Sequence, residues 1–219
     1  MATYRDEKFP EIIIIDYPGG CPMVVDPQKP HLGGNMRGGD EGTDYSKDLW
    51  PWLVKKYQPK KILDVGCAEG HALRAFKALG VSEVVGLEGL PQNASRCGVP
   101  VVVHDLCSGP YYVPGVDLLW CCDVVEHIEE RYVQNILETF MCAQRVALCH
   151  GTEGMGLSGW HHVNNKSVAY WAEKMTSAGF DLDESGTAES HEVAKGRSYW
   201  PESGRIWVNR HAPRVEPHA

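Results

Sequence analysis

The 219-residue sequence predicts an α/β protein with a doubly wound, mostly parallel sheet, and three observations carry that prediction. From residue 60 onward, strand-length apolar runs alternate with helix-length amphipathic stretches, the order that builds parallel sheets through crossover helices. The strand runs are continuously rather than alternately apolar, as in KKILDVG, VDLLWCCD and RVALCHG; strands covered on both faces must be. Three of them carry an acid at or near the C-terminal end, Asp64, Glu88 and Asp105, and sheets of this class bind ligands at that edge.

Residues 1–44 are rich in Gly and Pro and are expected to form an irregular arm over the core, with one short strand in EIIIID. A helix is predicted from Tyr45, where Leu49, Trp50, Leu53 and Tyr57 recur at helical spacing and Pro59 ends the segment, with Asp44 or Ser46 as its cap. The first strand is KKILDVG (60–66), and the helix Gly70 to Leu79 is closed by Gly80. SEVVGLE (82–88) and VPVVVHD (99–105) are the second and third strands, and VDLLWCCD (116–123) is the fourth. A helix from Glu129 to Ala143 buries Val133, Ile136, Leu137 and Phe140. RVALCHG (145–151) is the fifth strand, and a helix from Lys166 to Ala178, capped by Asn165 or Ser167, ends at Gly179. A strand starts at Phe180, a polar stretch runs from Asp183 to Ser203, and GRIWVNR (204–210) closes the sheet. The organisation is an arm (1–44), one domain (45–210) and a frayed tail (211–219).

Composition narrows the function. Against 29 Asp and Glu stand 21 Lys and Arg, a net charge of −8, which argues against broad binding to nucleic acid backbones. Residues 191–219 reverse the sign, with five Lys and Arg against three Glu. No apolar run approaches the ~18 residues of a membrane span, and the start MATYRDEKFPE is not a secretory signal. Of the eight cysteines, Cys67, Cys121, Cys122, Cys142 and Cys149 lie inside apolar runs at no metal-like spacing and are expected to be reduced, buried thiols of a cytoplasmic protein.

The chemistry concentrates in ILDVGCAEGHA (62–72). A buried strand delivers Asp64, and Gly66, Ala68 and Gly70 turn the chain into a helix N-terminus, where small residues admit a ligand to the backbone. Ala68 and His71 break the G-x-G-x-x-G dinucleotide fingerprint, which disfavours NAD. The segment resembles the first motif of class I S-adenosylmethionine-dependent methyltransferases, with Ala68 in place of the middle glycine, a methyl that fits if φ stays negative there. The resemblance covers residues 60–150 and implies a Rossmann-like methyltransferase fold of seven strands. It implies that S-adenosyl-L-methionine is the cofactor and S-adenosyl-L-homocysteine the product.

On the same resemblance, Asp64, Gly66, Cys67, Ala68 and Gly70 wrap the methionine part of the cofactor. Glu88, 24 residues after Asp64 and followed by Gly89, takes the ribose hydroxyls. Asp105 accepts from the adenine amino group, Leu106 donates its backbone N–H to the ring, and Cys122 and Asp123 pass beneath the adenine or the transferred methyl. The Gly-rich stretch 33–53 is a candidate to close over the site, with Arg37 or Thr43 pairing to the cofactor carboxylate.

CCDVVEHIEE (121–130) admits two readings. The preferred one makes Glu126 and His127 a turn bonded to backbone. The other draws on a likeness to small-RNA end-methyltransferases, in which an E-x-x-E-H segment and a later His bind a divalent metal; here Asp123, Glu126, His127 and His161 or His162 would form that set. WHHVNNKSVAYW (160–171) lies where this fold places substrate contacts, so His127, His161 and His162 are the general-base candidates for a hydroxyl acceptor.

The expected activity is therefore methyl transfer to a small-molecule or glycan acceptor, with no metal residue assigned and no membrane partner. The alternatives are a metal-assisted RNA ribose methyltransferase, which keeps a nucleic acid acceptor open, a catalytically silent cofactor-binding module, and a nucleotide-dependent oxidoreductase.

Overall fold

The computed structural model describes residues 2–16, 21–37, 45–153, 160–195 and 200–212. The chain begins not with an irregular arm but with a four-stranded antiparallel meander, β1 (Ala2–Arg5), β2 (Ile13–Asp16), β3 (Met23–Val25) and β4 (Gly33–Met36), paired in that order. Ile12, Ile14 and Val24 form its small core and pack on Leu90, with Leu32 and Phe9 at the edge. The strands are only three or four residues long, which explains why the turn signals dominated the sequence there.

The larger layer follows. In chain order it comprises α1 (Tyr45–Tyr57), β5 (Lys61–Val65), α2 (His71–Ala78), β6 (Glu83–Glu88), α3 (Pro91–Ala94), β7 (Val101–Val103), β8 (Val116–Cys122), α4 (Val133–Phe140), β9 (Ala143–Cys149), α5 (Val168–Ser177), β10 (Phe180–Leu182), α6 (Glu184–Ala194), α7 (Trp200–Ser203) and β11 (Arg205–Asn209). The sheet order is β10-β11-β9-β8-β5-β6-β7, with β9 through β7 parallel and β11 antiparallel to both of its neighbours. The seven mostly parallel strands with helices on both faces are the predicted architecture.

Alternate residues of each strand feed opposite cores, the reason the runs had to be apolar throughout. Leu63, Val65, Leu119, Cys121, Val146 and Leu148 meet Ile136 and Phe140 of α4 and Trp171 and Met175 of α5. Ile62, Leu118, Trp120 and Ala147 meet Leu49 and Leu53 of α1, Phe76 of α2, and Trp200. From β5 the chain winds out through β6 and β7, then returns to β8 on the other side of β5. This reversal opens a crevice beyond the strand ends, and sheets of this class bind ligands there.

Helix α6 replaces the expected polar stretch. Its buried residues are Gly186, Thr187, Ser190 and Ala194, too small to give an apolar stripe in the sequence. Asp183 caps it by accepting from Gly186 N at 2.8 Å, and Tyr57 donates to the same carboxylate at 2.8 Å. In α5, Ser167 is the cap, accepting from Tyr170 N at 3.1 Å. Asp44, Thr43 and the end of the tail, residues 213–219, lie outside the described residues. The eight cysteines are free thiols, and among the described residues no helix is long and apolar enough to cross a membrane.

Candidate cofactor pocket and its histidine rim

A cavity of about 480 Å³ lies in the crevice, between the C-terminal ends of β5, β6 and β8 and strand β4 of the meander. The loop after β5 forms its floor. Gly66, at φ +73°, donates to Leu87 O at 2.7 Å, and Gly70 N closes the turn on Cys67 O at 2.7 Å. A Cβ on Gly66 would be driven into Val124, so only glycine lets the loop bend this close to the segment after β8.

Ala68 corrects one expectation. Its φ is +45°, in the left-handed region that disfavours side chains. The conformation is held by its own amide, which donates to Glu88 Oε2 at 2.8 Å. Glu88 Oε1 accepts from Leu90 N at 2.8 Å and more weakly from Asn93 Nδ2 at 3.5 Å. Burial pushes the Glu88 carboxyl up to about 7, against the lowering effect of these N–H donors. Glu88 therefore clamps the loop after β5 to the turn before α3, at the pocket wall.

Asp105 stands at the end of β7 and caps the short turn Leu106–Ser108, accepting from Cys107 N at 2.9 Å. His31 of the meander reaches the same carboxylate, with Nε2 at 3.0 and 3.1 Å from its two oxygens. Burial raises this carboxyl, but the bonds from His31 and Cys107 and the charge of Lys29 outweigh it and hold the group below its ordinary value.

At the other end of the cavity, Glu126 and His127 occupy the turn Val125–His127. Glu126 is 1% exposed, and its Oε1 accepts from Gly151 N at 2.7 Å. The preferred reading of a backbone-bonded turn covers that oxygen only. Glu126 Oε2, His127 Nδ1 and His162 Nδ1 are all buried without a hydrogen-bond partner, and the three residues place ligand atoms within 4.8 Å of one another. Burial, and then the neighbouring His162, press the His127 imidazole down to about 4, while burial lowers His162 too and raises Glu126 to about 7. Both rings are neutral near pH 7.

Asp64, Gly66, Cys67, Ala68, Glu88 and Gly89 line the cavity, as do Asp105, Leu106, Cys122, Asp123, His127 and His162. Gly70 and His161 do not. Gly70 caps α2 at φ +78° and packs on Cys97, and His161 Nε2 lies 3.7 Å from Glu129 Oε1. Arg37 is paired to Asp6 at 3.3 Å and Glu69 at 3.6 Å rather than held out for a carboxylate.

The sequence reading assigned no role to His31, and it placed Asn35 and Trp160 only within the segments 33–53 and 160–171. Asn35 accepts from Asn93 Nδ2 at 2.9 Å and Trp160 Nε1 donates to Pro30 O at 2.8 Å, so both tie the meander over the pocket. The signal for Asn35 was the glycine-rich stretch. Gly34, at φ +89°, lets β4 pass so close to the rim that a Cβ would sit 3.1 Å from His127 Cε1.

Residues 63–146 match the family model described as a methyltransferase domain. No curated protein sequence matches the chain. Among solved structures, Streptomyces venezuelae DesVI is similar at a TM-score of 0.59 and 11% identity, over 77% of this chain and 93% of that one. The plantazolicin methyltransferase BpumL, solved with a triazolic desmethylPZN analog and SAH, is similar at 0.55 and 11%, over 78% and 88%. The methyltransferase domain of bacterial CtHen1-C is similar at 0.52 and 14%, over 76% and 99%. The cavity is of the size that takes a nucleoside with an amino-acid tail; its glycine cradle, formed by Gly66, and the carboxylates of Glu88 and Asp105 on its wall suit that ligand. Residues 63–146 thus carry a match to a methyltransferase domain, set in a seven-stranded fold similar to that of solved S-adenosylmethionine-dependent methyltransferases.

Proposed function

We propose that the chain methylates a hydroxyl group of a small-molecule or sugar acceptor, with His127 as general base and His162 beside it. The observation that supports this reading most is the pair of buried, partnerless imidazole nitrogens on two rings 4.7 Å apart that line the cavity. A ring N–H of His127 donates to the backbone carbonyl of Trp160, and Nδ1, which has no partner, keeps its lone pair for a proton. Glu126, anchored by Gly151 N, stands where it stabilises the imidazolium once that proton is taken.

The cofactor, when bound, supplies an activated methyl group on a sulfonium. The residues of the chain do the rest by alignment. Glu88 would receive the ribose hydroxyls, Asp105 the adenine amino group and Leu106 N–H the ring. The loop Asp64, Gly66, Cys67, Ala68 and Gly70 would hold the methionine end, and Cys122 and Asp123 the face beneath. His161, turned to Glu129, stands aside from the reacting centre.

A second reading rests on the same cluster. Glu126 Oε2, His127 Nδ1 and His162 Nδ1 are an oxygen and two imidazole nitrogens, a donor set that fits a divalent cation. A cation there would neutralise charge on an acceptor hydroxyl, as in the metal-assisted RNA reading.

Turnover with a panel of sugars, phenols and short RNAs, measured after treatment with a chelator and again with added Mg²⁺ or Mn²⁺, separates the two. Turnover of a small hydroxyl acceptor that survives chelation, and is lost in His127→Ala, supports the general-base reading. Turnover lost on chelation and restored by the cation overturns it in favour of the metal.

A further inference from the structure

Outside the reacting centre, a two-oxygen polar link between the two layers joins His31 to Asp105, residues 74 apart in the chain. His31 stands on a hydrogen-bonded turn. Asp26 accepts from Gln28 N at 2.9 Å and Lys29 N at 3.3 Å, Leu32 N donates to Lys29 O at 2.8 Å, and Pro30 O is held by Trp160 Nε1. The side chains of His31 and Asp105 are 14% and 17% exposed, and both line the cavity.

Lys29 Nζ lies 3.6 Å from Oδ2 of Asp105, beyond hydrogen-bond distance, and its side chain is 55% exposed, so solvent screens that attraction. Oδ1 of Asp105 accepts from Cys107 N at 2.9 Å and from His31. Oδ2 has His31 as its one hydrogen-bond donor among the described contacts, and a carboxylate oxygen has two lone pairs. The remaining lone pair of Oδ2 is an acceptor fixed in place at the strand end.

We propose that His31 is a positioning residue for the adenine end of the pocket: by donating from the meander to Asp105, it fixes the carboxylate so that Oδ2 accepts from the exocyclic amino group of the cofactor. This rests on the reading of Asp105 as the adenine acceptor. Without His31, Asp105 keeps one fixed donor, Cys107 N, and its plane turns about that bond. An acceptor that must be ordered on binding contributes less than one already in place. His31 thus makes the N-terminal sheet part of the specificity for adenine rather than a cover.

The test compares S-adenosylhomocysteine with S-inosylhomocysteine, which carries a carbonyl where adenine has the amino group, by titration calorimetry. The proteins are the wild type, His31→Ala, His31→Gln, Lys29→Met and Asp105→Asn. His31→Ala is expected to weaken the adenosyl ligand about tenfold and the inosyl ligand less than about threefold, the range of one hydrogen bond to a charged group. His31→Gln, which keeps a donor, restores most of the difference, and Lys29→Met leaves it unchanged. Equal weakening of both ligands by His31→Ala makes His31 a wall of the pocket and overturns the proposal, as does no change with either. If Asp105→Asn leaves the wild-type preference for the adenosyl ligand intact, the Asp105 reading itself fails. If Asp105→Asn abolishes that preference while His31→Ala does not, Asp105 stands and His31 alone is refuted.

Discussion

His127 and His162 meet edge to face, their ring centroids 4.7 Å apart and their planes at 85°. Two imidazoles this close at a buried site disfavour each other's charged form, so the pair is built to be neutral.

That neutrality makes stability depend on pH. His127 ordinarily titrates at 6.5 and in the fold is pressed down to about 4. Between those values the unfolded chain binds a proton that the folded chain refuses, so this group makes the fold less stable as pH falls. Urea unfolding of the wild type at about pH 7 and about pH 5 should show a loss about 2 kcal/mol greater than the same comparison in His127→Asn. Equal losses would place a charged His127 in the fold.

Glu88 separates two N–H donors, Ala68 on one oxygen and Leu90 on the other. Glu88→Gln turns an amide nitrogen toward one of them, donor against donor, which should lower stability by ~1–3 kcal/mol. S-adenosylhomocysteine at about 100 times its dissociation constant should stabilise the wild type by about 2.7 kcal/mol. In the variant, at the same concentration, thermal melts should show half of that or less.

At Gly66 two penalties coincide, a φ of +73° and a Cβ that would collide with Val124. Gly66→Ala should cost about 2 kcal/mol or more. Adding Val124→Ala should recover the steric part and leave about 1 kcal/mol of backbone strain, so denaturation of the double variant should show less than the sum of the two single losses.

Trp200 stacks on Trp120 with centroids 5.3 Å apart and an angle of 9°, and its Nε1 donates to Ser190 Oγ of α6 at 2.9 Å. Trp200→Ala should lower stability by ~3–5 kcal/mol. Trp200→Phe keeps most of the packing and loses the bond, so its loss should be about 1–2 kcal/mol. A urea series on the two variants checks the ratio.

What the sequence made legible follows from periodicity. Leu63 and Ile62 feed different cores, so the run containing them had to be apolar without interruption and was readable as a buried strand. Asp64, Glu88 and Asp105 were readable because strand ends place them. Helix α6 was hidden because it buries Gly186, Ser190 and Ala194, residues whose size suits close approach to α1 but whose hydropathy says nothing. His31 was hidden because its partner is 74 residues away, and nothing local marks a histidine for such a contact. The φ of Ala68 was misjudged because the bond that holds it comes from Glu88, one strand further on.

The meander docks on elements that follow it, through His31 to Asp105, Asn35 to Asn93 and Pro30 to Trp160. During synthesis, residues 2–37 leave the ribosome before any of these partners exist, and a meander with a core of a few side chains is marginal by itself. The pocket wall that is translated first must therefore be ordered after the α/β sheet has formed, and its amide protons should exchange sooner than those of β5 and β8.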